Sequence, residues 1–207
     1  MRIGFFGGTF DPPHLGHLAV AQAALRTYAL DRILIAPTGH QPLKPHSPIA
    51  SFADRLAMVE LLCREANGLQ ASAIDRPQPD GAPNFTIDTL ARLRAGLDSN
   101  GSPDASPDVS LFMIVGADAF LDLRRWREPD KLLEAAEWIV VSRPGAALDL
   151  APLKLTATQR ARVYLLDTVH VPVSATEVRA QLQAHHDVSG LLPPEVSAYI
   201  RAHHLYG

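Results

Sequence analysis

The sequence predicts an α/β fold in which a mainly parallel sheet is covered by helices on both faces. Short runs rich in β-branched and aromatic residues alternate with longer segments whose apolar residues recur with the period of a helix, which is typical of strands joined by crossover helices. The run at 109–115 is almost entirely apolar, as expected for a strand buried on both faces. With 207 residues, 47% of them hydrophobic, the chain can bury a sizeable core as one domain.

The first half of the chain contains three strand-like runs, each followed by a helical segment. The strands are expected at 2–6, 32–36 and 69–74, and the helices at 14–29, 52–66 and 86–97. The second helix carries Cys63, the single cysteine of the sequence, among apolar residues. One cysteine excludes an internal disulfide framework and a multi-cysteine zinc site, so we expect Cys63 to be a small core residue.

The second half of the chain continues this alternation. Strands are expected at 109–115, 138–142 and 163–166, a helical region at 117–135 that is broken around Pro129, and two closing helices at 174–184 and 194–204. The polar segment 98–108 is interpreted as an insertion, because the alternation resumes directly after it. The sequence thus predicts a Rossmann-like, doubly wound sheet in one domain, 1–207, with a small C-terminal helical part from about residue 174.

The charge balance and the first residues of the chain argue against several classes of protein. The 19 basic and 22 acidic side chains give a formal net charge of −3, which gives no reason to expect binding to nucleic acid or to an anionic membrane. The first residues lack the basic and apolar regions of a secretory signal, and no apolar stretch reaches the roughly 20 residues needed to cross a bilayer. We therefore expect a cytoplasmic protein; the sequence does not indicate its oligomeric state.

The stretch that follows the first strand is the most informative part of the sequence. Gly7 and Gly8 let the backbone turn tightly and approach a ligand closely. His14 and His17 are three residues apart at a helix start, so their rings project from one face, which Gly16 leaves uncluttered. Free N–H groups and partial positive charge at a helix start favour a polyphosphate ligand. A metal site and a pair of histidines without a ligand are the alternatives; the metal is disfavoured because no third protein ligand is evident nearby.

These residues resemble the nucleotidyltransferase superfamily that is marked by a His-x-Gly-His motif. The motif stands here as His14-Leu15-Gly16-His17, after Gly7-Gly8-Thr9-Phe10-Asp11-Pro12, and the second signature of the superfamily, Ser-x-Thr-x-x-Arg, stands as Ser174-Ala175-Thr176-Glu177-Val178-Arg179. Within the superfamily, nearly the whole chain is similar to the nicotinate mononucleotide adenylyltransferases. Further matching segments lie in the same order at 83–90, 115–118, 126, 142–145 and 192–206.

The resemblance implies an ATP site at the glycine-rich turn. His14 and His17 would contact the ATP phosphates, with His17 near the α-phosphate, and the turn would contribute Gly7, Gly8, Thr9, Phe10 and Gly16. Lys44 on the loop at 37–48 would add a mobile positive charge, unless it is an ordinary surface lysine. This loop and the one at 76–83 follow presumed strands, so both are candidate walls of the site.

Other residues of the ATP site are implied by the second signature and by the segments between the signatures. Arg179, with Ser174 and Thr176, would hold the outgoing pyrophosphate, although Ser-x-Thr is also an ordinary helix-capping pattern. Asp118 would accept hydrogen bonds from a nucleotide ribose, with helix capping as the alternative. Arg143 would bind nucleotide or only pair with a neighbouring carboxylate.

The resemblance also implies a site for the second substrate. Trp126 lies between arginines, where a large ring is unlike a core residue, and the indole could stack on a pyridine ring. Thr86 matches the position that helps to bind the nicotinate carboxylate. Arg127 stands where the family often has an aromatic residue, and we expect it to bind substrate too. Trp138, at a strand start, is expected in the core.

The implied reaction is a direct in-line attack of nicotinate mononucleotide on the α-phosphorus of ATP, giving nicotinic acid adenine dinucleotide and pyrophosphate. No serine or cysteine is framed as a nucleophile, and none is needed. Mg²⁺ would travel with the triphosphate, without a dedicated carboxylate cage. The alternatives are a sister adenylyltransferase that acts on nicotinamide mononucleotide or phosphopantetheine, and a nucleotide-binding module without catalysis.

Overall fold

The structure is a computed structural model that describes residues 1–43, 46–98, 109–142, 148–169 and 171–207. The predicted insertion at 98–108 lies outside the described residues except for its first residue. Lys44 and Arg143, two of the predicted ligand-binding residues, also lie outside them.

Within the described residues, six strands form one parallel sheet in the order β3-β2-β1-β4-β5-β6. The strands are β1 (Arg2–Gly8), β2 (Arg32–Pro37), β3 (Leu69–Ala71), β4 (Ser110–Gly116), β5 (Glu137–Val141) and β6 (Val163–Leu166). The chain moves outward from β1 to β3 and then returns to the other side of β1. The order therefore reverses between β1 and β4, the place where open α/β sheets leave a crevice at the carboxyl ends of their strands.

Helices cover both faces of this sheet, as the sequence predicts. The helices are α1 (Leu15–Thr27), α2 (Phe52–Cys63), α3 (Thr86–Asp98), α4 (Ala117–Leu121), α5 (Pro129–Ala135), α6 (Ala157–Arg160), α7 (Ala175–Gln183) and α8 (Pro194–Ala202). Buried residues of α1, α2, α7 and α8 share one hydrophobic cluster, and those of α3, α4 and α5 share another. This two-sided packing confirms the doubly wound architecture.

The side chains of β4 alternate between the two hydrophobic clusters, which explains why this strand is so apolar. Phe112 and Ile114 belong to the cluster beneath α1 and α2, whereas Leu111, Met113 and Val115 belong to the cluster beneath α3 and α5. Successive side chains of a strand point to opposite faces, so a central strand covered on both sides needs apolar residues at every position. The predicted burial of this strand on both faces is confirmed.

The region at 117–135 is organised differently from the single broken helix that the sequence predicts. α4 ends at Leu121, a 3-10 turn covers Leu123–Arg125, and Trp126 has extended backbone. Glu128 has a left-handed φ of 52°, and Pro129 then occupies the first turn of α5. Proline is tolerated there because the first N–H groups of a helix have no partner within it, so Pro129 begins a helix rather than breaking one.

The third strand is shorter than predicted. β3 ends at Ala71 rather than at residue 74. The N–H of Ser72 still bonds the carbonyl of Ile35 at 2.9 Å, but its side-chain oxygen accepts from the N–H of Ile74 at 3.3 Å. A serine that captures a nearby backbone N–H competes with strand pairing, which explains the early end.

Two predicted core residues are buried as expected. Trp138 is 0% exposed and Cys63 is 9% exposed, each within a hydrophobic cluster. Burial, with a smaller effect from Glu60, raises the pKa of the Cys63 thiol to about 12, so this thiol is protonated at neutral pH. No helix of the described ranges is long and apolar enough to cross a membrane.

Candidate active site

Two clefts among the described residues open at the carboxyl ends of the strands and are connected along the chain by the turn after β1. The larger, here called the histidine cleft, has a volume of about 750 Å³ and is lined by the starts of α1, α4 and α7. The smaller, the tryptophan cleft, has a volume of about 170 Å³ and is lined by the ends of β1 and β4, the loop after β2, the start of α3 and the segment around Trp126. Gly7 and Gly8 line the tryptophan cleft, whereas His14, Gly16 and His17 line the histidine cleft. The turn between these residues therefore joins the two clefts.

The two histidines of the motif stack on each other at the start of α1. Their ring centroids are 3.7 Å apart, with 28° between the ring planes. His14 is the N-cap residue and has extended backbone, so its ring folds back over the first turn. The Nδ1 atom of His17 accepts a hydrogen bond from the N–H of His14 at 3.2 Å. In a neutral His17 ring the proton therefore lies on Nε2, where it can be donated to an anion.

His14 is a buried residue at the edge of the histidine cleft. The residue is 6% exposed, and its Nδ1 atom has no hydrogen-bond partner among the described residues. Burial lowers the pKa of His14 to about 4, so the ring is neutral at neutral pH. A Cβ atom on Gly16 would lie 3.0 Å from both Cε1 and Nδ1 of His14. Gly16 is thus needed to let the His14 ring lie over the helix start.

Phe10 packs against the ring of His17. Phe10 is 2% exposed, has a left-handed φ of 50°, and meets the His17 ring edge-on at 4.8 Å. A Cβ atom on Gly8 would lie 3.0 Å from the Phe10 ring, so Gly8 makes room for it. The Phe10 side chain is part of the core, and only its backbone could take the nucleotide-binding role predicted for this residue.

Arg55 fixes the turn after β1, and our reading of the sequence missed this residue. Its buried guanidinium donates to the carbonyls of Thr9 at 2.7 Å, Thr38 at 2.9 Å and Ala50 at 3.3 Å. Thr9, which we expected to bind nucleotide, therefore points its carbonyl inward to this cation. Burial lowers the pKa of Arg55, with Asp11 and Tyr206 opposing the shift. The signal in the sequence is a basic residue on the apolar face of α2.

Asp11 is a second buried residue that the sequence reading missed. Its carboxylate accepts hydrogen bonds from the N–H groups of Ile49 at 2.8 Å and Ala50 at 3.0 Å, and from the hydroxyl of Tyr206 at 2.6 Å. The backbone carbonyl of Asp11 accepts from Arg179 at 2.7 Å. Asp11 thus joins the turn after β1, the segment before α2, the signature on α7 and the end of the chain.

The second signature lies at the start of α7, as predicted. The hydroxyl of Ser174 caps the helix by accepting from the N–H of Glu177 at 3.1 Å, and Ser174 also lines the histidine cleft. Arg179 donates to the hydroxyl of Thr176 at 3.3 Å, in addition to its bond with Asp11. Capping, the alternative that the sequence left open for Ser174, is therefore observed, and the residue faces the cleft as well.

Asp118 lies on the opposite wall of the histidine cleft. It is an exposed residue in the first turn of α4, directly after the end of β4. α1 and α4 both begin where the strand order reverses, so the motif histidines and Asp118 line one cleft although about a hundred residues of sequence separate them.

Aromatic and basic residues form one wall of the tryptophan cleft. Trp126 is half-buried, meets Trp138 edge-on at 6.3 Å, and lines the cleft together with Thr86, the first residue of α3. The guanidinium of Arg127 lies 4.7 Å over the ring of Phe85. Arg127 also lies 3.8 Å from Asp88. All three residues predicted to bind the second substrate are therefore neighbours.

Asp75 is a buried acid on the wall of this cleft that the sequence reading missed. It accepts a hydrogen bond from the hydroxyl of Thr89 and lies 3.4 Å from the guanidinium of Arg92. Burial raises the pKa of Asp75, while Thr89 and Arg92 oppose the shift. Since Thr89 and Arg92 both lie on α3, this contact fixes that helix against the segment after β3.

The two loops predicted as walls of the site are tied together by Asn84. Its side-chain oxygen accepts from the N–H of His40 at 2.9 Å, and its amide donates to the carbonyl of Arg76 at 3.0 Å. A Cβ atom on Gly39 would lie 2.5 Å from the nitrogen of Pro77, so the loops touch at a glycine. The loop after β2 lines the tryptophan cleft itself, whereas the second loop does so only through its flanking residues, Asp75 and Asn84.

Acidic residues of the site are spread over separate elements. Among the described residues, no three His, Cys, Asp or Glu side chains are placed to hold a metal ion together. Asp118 and Glu177 line the histidine cleft from α4 and α7.

Known proteins are similar to this chain over nearly its full length. The cytidylyltransferase-like family model matches residues 5–181. A relative from Solibacter usitatus, named "Probable nicotinate-nucleotide adenylyltransferase", is 38% identical over 206 residues, which cover 100% of both chains. A relative of the same name from Roseiflexus sp. is 39% identical over 206 residues, covering 99% of this chain and 97% of the relative.

Solved structures match the fold. The structure of Plasmodium falciparum nicotinic acid mononucleotide adenylyltransferase complexed with NaAD has a TM-score of 0.74 at 19% identity, covering 99% of this chain and 97% of that chain. The same Plasmodium enzyme complexed with APC has a TM-score of 0.73. Both likenesses support the six-stranded, doubly wound architecture.

Proposed function

This chain belongs to the cytidylyltransferase-like family and, within it, to the nicotinate-nucleotide adenylyltransferases, and we propose that its two clefts together carry out that reaction. The protein is a nucleotidyltransferase of NAD biosynthesis. It transfers the adenylyl group of ATP to nicotinate mononucleotide and releases nicotinic acid adenine dinucleotide and pyrophosphate.

The observation that carries this proposal is the turn that joins the two clefts. Adenylyl transfer requires the mononucleotide phosphate and the α-phosphorus of ATP to meet in line, so the two substrates must approach one point from different directions. β1 ends beside the tryptophan cleft at Gly7 and Gly8, and the turn at 9–13 leads from there to His14 in the histidine cleft. The reacting phosphates would meet at this turn.

The histidine cleft takes ATP in this proposal. The Nε2 proton of His17 would be donated to the α-phosphate, and the His14 ring, which lines the same cleft, would contact a second phosphate. Asp118 on the opposite wall would accept hydrogen bonds from the ribose. Arg179 would hold the departing pyrophosphate, assisted by Ser174 and Thr176. Lys44 and Arg143 remain predicted ligands from the sequence.

The tryptophan cleft takes nicotinate mononucleotide. Trp126 would stack on the pyridine ring, which suits a cleft of about 170 Å³ with one flat wall. Thr86 would bind the carboxylate through its hydroxyl and the N–H at the start of α3, where helix N–H groups lack partners. Arg127 would add positive charge beside that carboxylate.

Catalysis would consist of alignment and charge neutralisation. The 5′-phosphate of the mononucleotide is already an anionic nucleophile, so the protein need not activate it. Imidazole and guanidinium groups would neutralise charge on the transferred and leaving phosphates, the division of labour usual in phosphoryl transfer. Mg²⁺ would enter with ATP as part of that substrate, because Mg²⁺ keeps several of its waters and is held largely by substrate phosphates.

A pyrophosphate-release assay tests this proposal with three acceptors. We expect release with ATP and nicotinate mononucleotide, and less with nicotinamide mononucleotide, whose amide carries no charge for Arg127 to attract. Release with phosphopantetheine instead would assign the protein to a sister activity. ATP binding without release for any acceptor would indicate a nucleotide-binding module.

A further inference from the structure

We propose that Tyr206, the penultimate residue, is a positioning residue that holds Arg179 ready for pyrophosphate. The proposal rests on the proposed role of Arg179 in the pyrophosphate site. It concerns the C-terminal end of the chain, which lines neither the histidine cleft nor the tryptophan cleft.

Two short hydrogen bonds, both to Asp11, connect Tyr206 to Arg179. The hydroxyl of Tyr206 donates to Oδ1 of Asp11 at 2.6 Å, and Nη1 of Arg179 donates to the backbone carbonyl of the same Asp11 at 2.7 Å. Nη2 of Arg179 donates to Thr176 at 3.3 Å. These bonds use two of the five guanidinium N–H groups, so donors remain for an anion while the plane of the group is fixed.

The anchoring bond is buried at both ends. Tyr206 is 6% exposed and Asp11 is 4% exposed. Burial and the bond to Asp11 raise the pKa of Tyr206, so its hydroxyl keeps its proton and stays a donor at neutral pH. Losing this donor would leave one lone pair of a buried carboxylate unsatisfied, and Asp11 would be expected to shift to recover it. Its carbonyl, and with it Arg179, would shift as well.

The last turn of the chain is shaped to deliver this hydroxyl. α8 ends at Ala202, and both His204 and Tyr206 adopt left-handed backbone, with φ of 52° and 66°. Left-handed backbone is uncommon for residues other than glycine and must be stabilised by surrounding contacts. The bend returns Tyr206 to a residue 195 positions earlier in the sequence.

Tyr206→Phe tests the inference because it removes only the hydroxyl. We expect binding of inorganic pyrophosphate, measured by calorimetry, to weaken about fivefold, less than direct loss of a hydrogen bond to a charged group would cost, because Tyr206 acts on pyrophosphate only through Asp11 and Arg179. KM for ATP should rise, whereas KM for nicotinate mononucleotide should not change. Tyr199→Phe is the matched control: Tyr199 also donates to a carboxylate, that of Asp54 at 3.0 Å, but it lies on α8 outside both clefts.

A double-mutant cycle with Arg179→Gln shows whether Tyr206 acts through Arg179. We expect Tyr206→Phe to have no further effect on pyrophosphate affinity once Arg179 is replaced. An equal loss in both backgrounds would overturn the inference, and so would a folded Tyr206→Phe protein that binds pyrophosphate as tightly as the wild type.

Hydrogen exchange on the wild-type protein gives a test that does not depend on any variant folding. Linkage is reciprocal, so pyrophosphate held by Arg179 should slow amide exchange at 203–207. Unchanged exchange there, in protein shown to bind pyrophosphate, would overturn this inference and leave the proposed function intact. Wild-type protein that binds neither ATP nor pyrophosphate would overturn both.

Discussion

The histidine cleft and the tryptophan cleft recognise their ligands by different physical means. The histidine cleft is wide, about 750 Å³, and its walls are helix starts that carry imidazole, hydroxyl and carboxylate groups. The tryptophan cleft is about 170 Å³ and is lined by aromatic and apolar side chains, together with polar and charged ones, from five separate parts of the chain. A flexible, highly charged triphosphate can be held by a few fixed donors, whereas a flat ring needs a surface that fits it.

Mutations in the two clefts are therefore expected to change different kinetic parameters. Groups in the histidine cleft act on charge that shifts during the reaction, so their loss should lower kcat. Groups in the tryptophan cleft act on a ring that does not react, so their loss should raise KM for one substrate.

His17→Ala is expected to have the largest effect. Removing the Nε2 donor beside the α-phosphate should lower kcat about a thousandfold, or about 4 kcal/mol of transition-state stabilisation, with the fold intact by circular dichroism. His203→Ala is the matched control, because His203 also stacks on a ring, that of Tyr199 at 4.0 Å, but lies at the end of α8. Near-normal kcat in folded His17→Ala protein would remove this residue from the mechanism.

His14→Asn should change the pH dependence of stability in the protein without ligand. The folded pKa of His14 is about 4, below the ordinary value of 6.5, so its contribution to stability is present above about pH 6.5 and is lost as pH falls toward the folded pKa. Between about pH 7 and pH 4.5, the free energy of unfolding should fall by about 2.5 kcal/mol more in the wild type than in the variant.

Urea unfolding at both pH values measures this difference, with His204→Asn as the control for losing an exposed imidazole. If the free energy of unfolding falls equally between the two pH values in wild type and His14→Asn, then burial does not hold His14 neutral.

Trp126→Ala should act on one cleft only. Losing the stacking surface should raise KM for nicotinate mononucleotide about tenfold, with little change in KM for ATP, since stacking of a base on an aromatic side chain contributes about 1 to 3 kcal/mol. Trp126→Phe, which keeps a flat ring, should recover most of this loss. Equal increases in both KM values would contradict the separation of the clefts.

Arg127→Gln should have the smallest effect and should concern selectivity. Its guanidinium is half exposed, stacked on Phe85 and near Asp88, so we expect the preference for nicotinate over nicotinamide mononucleotide to fall only about threefold. Arg125→Gln is the control from the same cleft, with its charge paired to Asp122 at 3.3 Å. An unchanged ratio of kcat/KM values for the two mononucleotides would remove Arg127 from selection.

The same contrast explains what the sequence predicts well. The parallel sheet follows from apolar periodicity, and the histidine cleft follows from a glycine turn and a helix start within a dozen residues, so both are local patterns. Trp126, Thr86 and Arg127 were identified through a family resemblance, because nothing local indicates that they meet. Their positions together in one cleft depend on how two separate segments, the start of α3 and the segment at 126–127, pack against each other.

The support beneath the turn after β1 could not be predicted from local patterns. Arg55 reaches Thr9 across 46 positions and Tyr206 reaches Asp11 across 195 positions. A buried arginine on an apolar helix face is unusual enough to flag, but its acceptors are backbone carbonyls, which every residue carries. Sequence alone therefore cannot indicate which carbonyls it binds.

The hydrogen bonds of Asn84 limit where members of this family can vary in loop length. Its two side-chain hydrogen bonds and the close approach of Gly39 to Pro77 form a seam between two loops. Insertions or deletions at the seam would separate the loops and open the narrow cleft, whereas changes at 78–82, which line neither cleft, would leave it intact. Natural length variation is therefore expected at 78–82, whereas substitutions at 41–43, which line the tryptophan cleft, can change substrate preference without loss of the seam.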